Sequence, residues 1–237
     1  MAENENKEKP EKKKKTRSIT FKANKNGKHY CHLLNFFRII FIPFYFLLRP
    51  FRYYGAKRKH EGACIYVCNH YTLLDVTYVA SMTWEGIHFL AKKSVLEAPV
   101  IKHIAKAVKV IGANRDGNDV RALLDCFKCL KNGDKLSVFP EGTRNKTDAE
   151  ILPFRHGAAI MAIKAKAPIV PMMLYKRPKF FRVAHILVGE PIELTEYYDR
   201  KLTEADYAEA DEKILQYMLN MKREHTAYLE NKKRKKK

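Results

Sequence analysis

A histidine and an aspartate five positions apart are the first residues in the chain whose types and spacing could do chemistry. Residues 69–75 read NHYTLLD and follow an apolar run that ends at Cys68. Histidine suits general-base work near neutral pH, and a carboxylate on its far nitrogen would fix the tautomer. Five residues of a regular helix turn through about 500°, so the two side chains pair only if His70 lies in a loop and Asp75 in the first helical turn. The alternative is that Thr72 and Asp75 cap a helix and His70 is an ordinary loop residue.

Basic residues follow other apolar runs and could hold a phosphate. The candidates are Glu141, Gly142, Thr143 and Arg144 in FPEGTRN, Arg115 in GANRDG, and Lys92 and Lys93 after IHFLA. Arginine offers a planar fork that matches a phosphate, although Pro-Glu-Gly-Thr is also the composition of a plain turn. Several cations around one histidine-bearing edge predict a phosphorylated small substrate, whereas any one of them alone indicates a surface charge.

The elements that must position these residues alternate along the chain. Strand patterns cover 63–68, 87–91, 109–113, 135–139, 168–175 and 182–189, and helix patterns cover 73–83, 95–106, 118–131, 155–166 and 203–229. This alternation predicts an α/β fold, a mixed and mostly parallel sheet covered by helices. In open sheets of this kind, active sites lie outside the carboxyl ends of the strands. His70 and the cations all follow strand patterns, and we therefore expect them at one edge.

The charge excess indicates a polyanionic partner. Lys and Arg number 46 against 26 Asp and Glu in 237 residues, a formal net charge of +20, which fits nucleic acid, an anionic membrane or a phosphorylated substrate. Residues 1–28 and 222–237 are lysine-rich ends with little to bury. We expect disordered basic tails over 1–28 and 231–237, for which a merely solvated end is the alternative. The length supports one α/β domain over 57–230.

An apolar and aromatic stretch follows the first tail. Residues 30–54 read YCHLLNFFRIIFIPFYFLLRPFRYY, and the uninterrupted apolar part is about half of the roughly 20 residues that a bilayer span needs. With Arg38, Arg49 and Arg52 as anchors at headgroup depth, we expect 29–56 to be an N-terminal membrane-interface helical segment. The alternative is a buried core helix. The expected partner is an anionic membrane surface, with the protein monotopic or peripheral on the cytoplasmic face of a cell membrane.

Five cysteines point to reduced thiols rather than to a metal site. Cys31, Cys64, Cys68, Cys126 and Cys129 lie mostly in apolar strand-like or helical patterns, where cysteine behaves as a small apolar residue. We expect neither a metal nor another cofactor.

The four segments NHYTLLD, GANRDG, FPEGTRN and APIVPMMLY, in this order, resemble the ordered blocks of the glycerolipid acyltransferases, especially the lysophosphatidate (1-acyl-sn-glycerol-3-phosphate) acyltransferases. The resemblance covers about residues 60–193. It implies that His70 is the base and Asp75 its orienting partner. It further implies that Arg115, Glu141, Gly142 and Arg144 bind the acceptor's phosphate and shape the site. The chain departs from the family pattern at Ala113 and Asn114 before Arg115, and at Asn145 where serine is frequent.

The resemblance implies direct acyl transfer from acyl-CoA or acyl carrier protein to the sn-2 hydroxyl of lysophosphatidate. Within the same class, the acceptor could instead be glycerol 3-phosphate or another lysophospholipid. From another class, the charge alone would fit a basic RNA-binding protein. The lysines, however, lie in the ends without aromatic interleaving, and no nucleic-acid motif occurs, so we expect no nucleic-acid partner.

Overall fold

The computed structural model describes residues 18–56, 60–114, 119–155 and 157–235. Within these residues one seven-stranded sheet runs in the order β1-β7-β6-β2-β5-β3-β4, formed by β1 (Phe51–Gly55), β2 (Cys64–Cys68), β3 (Ile87–Lys92), β4 (Ile111–Ala113), β5 (Lys135–Val138), β6 (Ile169–Leu174) and β7 (Ala184–Val188). The predicted mixed, mostly parallel α/β sheet is confirmed.

The helices in the described part of the chain are α1 (His32–Leu48), α2 (Val76–Ala80), α3 (Lys93–Leu96), α4 (Pro99–Ala107), α5 (Val120–Lys131), α6 (Gly157–Ala165) and α7 (Glu204–Arg234), with 3-10 turns at Leu73–Asp75 and Thr195–Tyr197. The helix expected over 95–106 is divided in two because Pro99 starts a new helix at its first turn. The helix expected over 73–83 is a 3-10 turn followed by the short α2.

Strand direction decides which loops meet. Strands β2 to β6 are mutually parallel, β7 is antiparallel to β6, and β1 is parallel to β7. The five parallel strands therefore end at one side of the sheet, which we call the carboxyl edge. Strands β7 and β1 begin there, so the end of α1 and the connection between β6 and β7 reach the same edge as His70.

Two apolar layers hold the sheet between helices. One layer joins the sheet to α5, α6 and α7 and includes Ile65, Val67, Leu136, Cys126, Met161 and Ile214. The other includes Tyr66, Cys68, Met172, Tyr78 and Val79, with Tyr45 of α1 packed against it. Each fully buried aliphatic or aromatic side chain stabilises the fold by about 1.5–3 kcal/mol. All five cysteines are buried as free thiols, as predicted for small apolar residues.

The segment 29–56 is only partly helical. Helix α1 ends at Leu48 because Pro50 follows it, and the next residues form β1, with Phe51 paired to Ala184 of β7. The expectation of a helical segment through residue 56 is therefore wrong for residues 51–55. The described chain includes no helix that combines the length and the apolar character needed to cross a membrane.

One side of α1 packs on the body and the rest is exposed. Its large exposed apolar side chains are Leu33, Phe36, Ile39, Ile40, Phe41, Phe44, Phe46 and Leu47. Arg38 is buried and donates hydrogen bonds to the carbonyls of Ala80 and Trp84. Arg49 is also buried, and only Arg52 of the three expected anchors is exposed. Arg38 and Arg49 are therefore not the exposed anchors that the sequence predicted, because both side chains turn toward the protein.

The predicted basic tails are shorter than expected. Residues 1–17 lie outside the described residues, and within residues 18–28 the segment 19–21 packs on the body while 22–28 are exposed. The Phe21 ring is 4% exposed and stacks on His88 at 4.2 Å, and its N–H donates to Asp134. At the other end, α7 begins with the predicted capping box at Thr203 and continues to Arg234. Cations in its last turn favour this extension because they face the negative end of the helix dipole.

Candidate active site

The structure brings His70 and Asp75 together. His70 lies in the loop after β2, and Asp75 lies in the 3-10 turn that precedes α2, the arrangement that the spacing requires. His70 Nδ1 is 3.1 Å from Asp75 Oδ2, and the imidazole stacks on Phe139 with ring centroids 4.1 Å apart. The His70 side chain is 15% exposed. No group in the described residues hydrogen-bonds His70 Nε2, so that nitrogen is available to a substrate.

Asp75 is held as an acceptor by four donors. Its Oδ2 accepts from His70 Nδ1, from the Tyr71 N–H at 2.6 Å and from the Thr72 N–H at 2.7 Å, and its Oδ1 accepts from the Thr72 hydroxyl at 2.7 Å. An ionised carboxylate only accepts hydrogen bonds. Nδ1 of His70 therefore carries the proton, which leaves the Nε2 lone pair as the base. Helix capping and histidine orientation, stated above as alternatives, are both functions of this one carboxylate.

The loop after β5 forms hydrogen bonds with both main-chain groups of His70, the N–H and the carbonyl. The His70 N–H donates to Glu141 Oε1 at 2.6 Å, and the His70 carbonyl accepts from the Asn145 N–H at 2.6 Å. These two bonds join the segments NHYTLLD and FPEGTRN at a single residue. The position of the imidazole is therefore fixed by residues about seventy positions away in sequence.

Glu141 shapes the site rather than contacting a phosphate. Its side chain is buried, and its second oxygen accepts from the Leu152 N–H at 2.9 Å. Burial raises the pKa of Glu141 above its usual value, against the effect of the N–H groups of Leu152 and His70. A buried carboxylate with both oxygens engaged repels an anionic ligand, so the expectation that Glu141 binds substrate is corrected to a positioning role.

The turn at Gly142 exposes a cation beside the base. Gly142 has φ +63°, a conformation that favours glycine, and a Cβ there would lie 2.7 Å from Arg155 Cδ. Thr143 and Arg144 are exposed. Within the described residues the Arg144 guanidinium has no ion-pair partner. The Arg144 guanidinium that was expected to bind a phosphate therefore belongs to a loop beside His70 and forms no ion pair within the described residues.

The other predicted cations are farther along the same edge. Lys92 ends β3 and Lys93 begins α3, and both are exposed. Strand β5 separates β3 from β2 in the sheet, so these lysines follow the second strand from His70. Arg115 lies outside the described residues.

Three contributors to the site were missed by sequence reasoning. The Asn69 amide pairs with both main-chain groups of Leu174, at 2.8 and 3.2 Å, and so binds the His70 loop to the end of β6. Asn145 is buried, and its carbonyl accepts from Arg177 at 2.9 Å. Arg177 also lies over the Tyr71 ring at 5.2 Å. The signal that could have found Arg177 was its position just after a strand pattern, as for the predicted cations.

The nearest thiol is unsuited to nucleophilic attack. Cys68 directly precedes the site loop, but it is fully buried, and burial raises the pKa of its thiol well above the usual value. A thiol that stays protonated is a poor nucleophile. The geometry of the His70 loop is that of a histidine base oriented by a carboxylate.

One group of possible metal ligands lies at the opposite edge of the sheet. Ligand atoms of His88, Cys129 and Asp134 are within 4.8 Å of one another. The Asp134 oxygens already accept hydrogen bonds from His29, at 2.5 Å, and from His88 and the Phe21 N–H, at 3.1 Å each. We interpret this cluster as the group of hydrogen bonds that attaches residues 18–29 to the α/β domain.

The fold and the site together define a class of protein. Its members have an α/β sheet, and the carboxyl edge of that sheet carries a histidine base with arginines near it. A family model described as Acyltransferase matches residues 50–175, more than half of the chain. The chain belongs to the acyltransferase family.

Relatives agree with this assignment. The chain is 36% identical over 122 residues to the 1-acyl-sn-glycerol-3-phosphate acyltransferase of Helicobacter pylori, covering 51% of this chain and 52% of that protein. It is 29% identical over 177 residues to the enzyme of the same name from Cocos nucifera, covering 71% of this chain and 54% of that protein. The chain thus spans about half the length of these two curated relatives.

A solved structure shares the fold. The 1-acyl-sn-glycerophosphate acyltransferase PlsC from Thermotoga maritima superposes with a TM-score of 0.60 at 21% identity, covering 81% of this chain and 78% of that one.

Proposed function

We propose that the protein is a 1-acyl-sn-glycerol-3-phosphate O-acyltransferase. It transfers an acyl group from acyl-CoA or acyl carrier protein to the sn-2 hydroxyl of lysophosphatidate and forms phosphatidate. The observation that carries the proposal is the His70–Asp75 pair. His70 Nε2 has no hydrogen-bond partner in the described residues, while Nδ1 is bound to the buried Asp75 carboxylate. The printed names of the relatives support the choice of acceptor.

The reaction is a direct transfer. His70 Nε2 takes the proton of the sn-2 hydroxyl as that oxygen bonds to the thioester carbonyl carbon. Asp75 offsets the charge of the resulting imidazolium. The carbon–sulfur bond of the tetrahedral intermediate then breaks, and the leaving thiolate receives the proton from His70. We propose that N–H groups of the Gly142 turn stabilise the oxyanion, because the hydrogen bond from Asn145 to His70 holds that turn beside the base.

The acceptor's phosphate is held by cations at the carboxyl edge. Arg144 is exposed and has no ion-pair partner in the described residues, and a bidentate arginine–phosphate contact fixes orientation as well as affinity. Arg115, Lys92 and Lys93 are proposed as further contacts. Holding the phosphate brings the hydroxyl to the base, and such orientation accounts for a large part of many rate enhancements.

We further propose that the protein associates with the cytoplasmic face of a cell membrane as a monotopic or peripheral protein. The exposed apolar side chains of α1, among them Phe44 at 62% and Leu47 at 71% exposure, support this. The five free thiols suit a reducing compartment.

The test is acyl transfer from labelled acyl-CoA or acyl carrier protein to lysophosphatidate, glycerol 3-phosphate and other lysophospholipids in detergent. We expect lysophosphatidate to be the preferred acceptor and His70→Ala to abolish transfer. His103→Ala is the matched control, because His103 is an exposed histidine on α4. Near-normal turnover by His70→Ala, or no transfer to any acceptor by the unmodified protein, would refute the proposal.

A further inference from the structure

The connection between β6 and β7, residues 175–183, carries two exposed phenylalanines that the candidate active site does not use. Phe180 is 55% exposed and Phe181 is 72% exposed, and Val183 beside them is 55% exposed. Phe181 has φ +54°, a backbone conformation rare for residues other than glycine, which persists where the surroundings impose it. We call residues 175–183 the aromatic loop.

The aromatic loop is fastened to the end of α1. The Phe181 N–H donates to the Leu48 carbonyl at 2.8 Å, and the Ala184 N–H donates to the Pro50 carbonyl at 2.8 Å. The first bond joins Phe181 to the last residue of α1, directly after Leu47, which is the most exposed apolar side chain of that helix. The apolar surface of α1 therefore continues onto the aromatic loop.

Lysine and arginine side chains lie close to the exposed phenylalanines of the aromatic loop. A hollow of about 480 Å³ under the aromatic loop is lined by ten residues, which include Lys176, Arg177, Lys179 and Arg182. Four of these described residues are lysine or arginine, and none is acidic. Burial, followed by the charges of Arg52 and Lys232, lowers the pKa of His185. The hollow is a positive environment suited to an anionic headgroup.

Arg49 is a buried cation that has no acidic partner in the part of the chain that the structure describes. Its side chain is 8% exposed, and its guanidinium lies over the Phe180 ring, 4.2 Å from the centroid. Nε and Nη1 have no hydrogen-bond partner among the described residues. The contact between the buried guanidinium and the ring holds Phe180 against the end of α1.

We propose that the aromatic loop is a second membrane-docking element, in which Phe180 and Phe181 insert between lipids while Lys176, Lys179 and Arg182 bind phosphates of anionic phospholipids. This inference rests on the membrane association proposed above and assigns part of it to a segment outside α1. Aromatic side chains flanked by lysine and arginine are the composition that membrane interfaces favour. The site also lies at the edge that carries His70, where a lipid acceptor would be delivered.

Flotation of the full chain with vesicles tests the insertion without requiring turnover, so its outcome is separate from that of the proposed acyl transfer. The variant is F180S/F181S. The matched control is V120S/L124S, which removes side chains that are 60% and 50% exposed on α5, on the opposite face of the sheet. We expect F180S/F181S to lower the partition coefficient on phosphatidylcholine vesicles about tenfold, and the control to leave it unchanged. Equal partitioning of the two variants would overturn the proposal.

The charge contribution is tested on vesicles with and without phosphatidylglycerol. We expect K176Q/K179Q to weaken binding about fivefold per lysine only where phosphatidylglycerol is present. The control R121Q/K131Q, which removes two exposed cations of α5, should bind as the unmodified protein does. If inorganic phosphate at matched ionic strength displaced the protein from vesicles, the site would belong to a free anion and the assignment would be wrong.

A spectroscopic measurement covers the case in which a double variant folds poorly. Trp84 is the one tryptophan in the chain, so F180W in a Trp84→Phe background reports on the loop alone. We expect its emission to shift to the blue on vesicles and to be quenched by brominated lipids. Emission that stays at the wavelength of a hydrated indole would overturn the insertion.

Discussion

Replacing Asp75 with asparagine separates the charge of the carboxylate from its geometry. Asp75 Oδ2 accepts three N–H donors, and Oδ1 accepts the Thr72 hydroxyl. In Asp75→Asn, an amide oxygen in the place of Oδ2 still accepts the hydrogen bonds of all three N–H donors. The amide NH₂ takes the place of Oδ1 and can donate to the Thr72 hydroxyl, because that hydroxyl can rotate to accept. The tautomer of His70 is therefore retained in Asp75→Asn, and the variant loses mainly the negative charge that faces the imidazolium.

The size of the effect follows from the distance. His70 Nδ1 and Asp75 Oδ2 are 3.1 Å apart, so the charge centres of the pair are about 4 Å apart, and unit charges at that separation interact by about 4 kcal/mol near a protein surface. The amide dipole keeps part of this, so we expect the transition state to lose about 2–4 kcal/mol of stabilisation. That loss lowers kcat by about 30- to 1000-fold. It is smaller than the effect of losing the tautomer, about 10⁴-fold in the serine protease triad.

The assay is steady-state acyl transfer from acyl-CoA to lysophosphatidate in detergent. We expect kcat to fall within that range and the Michaelis constants of both substrates to change little. Thermal unfolding of Asp75→Asn checks that the capping geometry survives. A loss below threefold would refute the assignment of Asp75 as the partner of the base.

Three further predictions concern groups around the site and the opposite edge. Glu141→Ala leaves two part-buried N–H groups, of His70 and Leu152, without their acceptor, so we expect a loss of about 1–3 kcal/mol in unfolding free energy. Because burial raises the pKa of Glu141, the stability of the unmodified protein relative to Glu141→Gln should fall as pH rises through that pKa; a flat difference in denaturant titrations would contradict this. Arg144→Ala should raise the Michaelis constant for lysophosphatidate about 10- to 100-fold, but not that for an unphosphorylated monoacylglycerol; equal changes would exclude a phosphate contact. Burial alone would raise the pKa of Asp134, but hydrogen bonds from His88, Phe21 and other donors lower it below its usual value, so its stabilisation is present above about pH 4 and lost as pH falls through the lowered pKa. Asp134→Asn should cost about 3–5 kcal/mol and speed hydrogen exchange in residues 18–29, and unchanged exchange there would refute the attachment of that segment to the α/β domain.

The sequence was sufficient for the parts of the site that depend on local pattern. Strand patterns ending at Cys68 and near Val138 located the two loops, and the angular argument about a five-residue spacing gave the loop-and-turn geometry of His70 and Asp75. Periodicity and turn composition act over a few residues, and such signals survive without tertiary information.

Other features depend on contacts between distant residues and could not be read from local pattern. The Phe21 N–H meets Asp134 across 113 positions, and no periodicity in a lysine-rich end marks that contact. The residues of β1 read as a continuation of the aromatic segment because their strand character comes from pairing with β7. The role of Glu141 was likewise hidden, since a carboxylate in a turn is indistinguishable in sequence from one that faces solvent.

The reversed direction of two strands connects the membrane proposal to the chemistry. If β7 continued the parallel order, the connection from β6 would cross to the opposite edge, and the end of α1 would lie far from His70. Because β7 is antiparallel to β6 and β1 is parallel to β7, α1 and the aromatic loop both reach the edge that carries the base. In the proposed mechanism an acceptor whose acyl chain stays among lipids then needs to raise only its headgroup to reach His70. The cations at this edge would hold that headgroup, and the full desolvation of a lipid chain would not be part of the barrier.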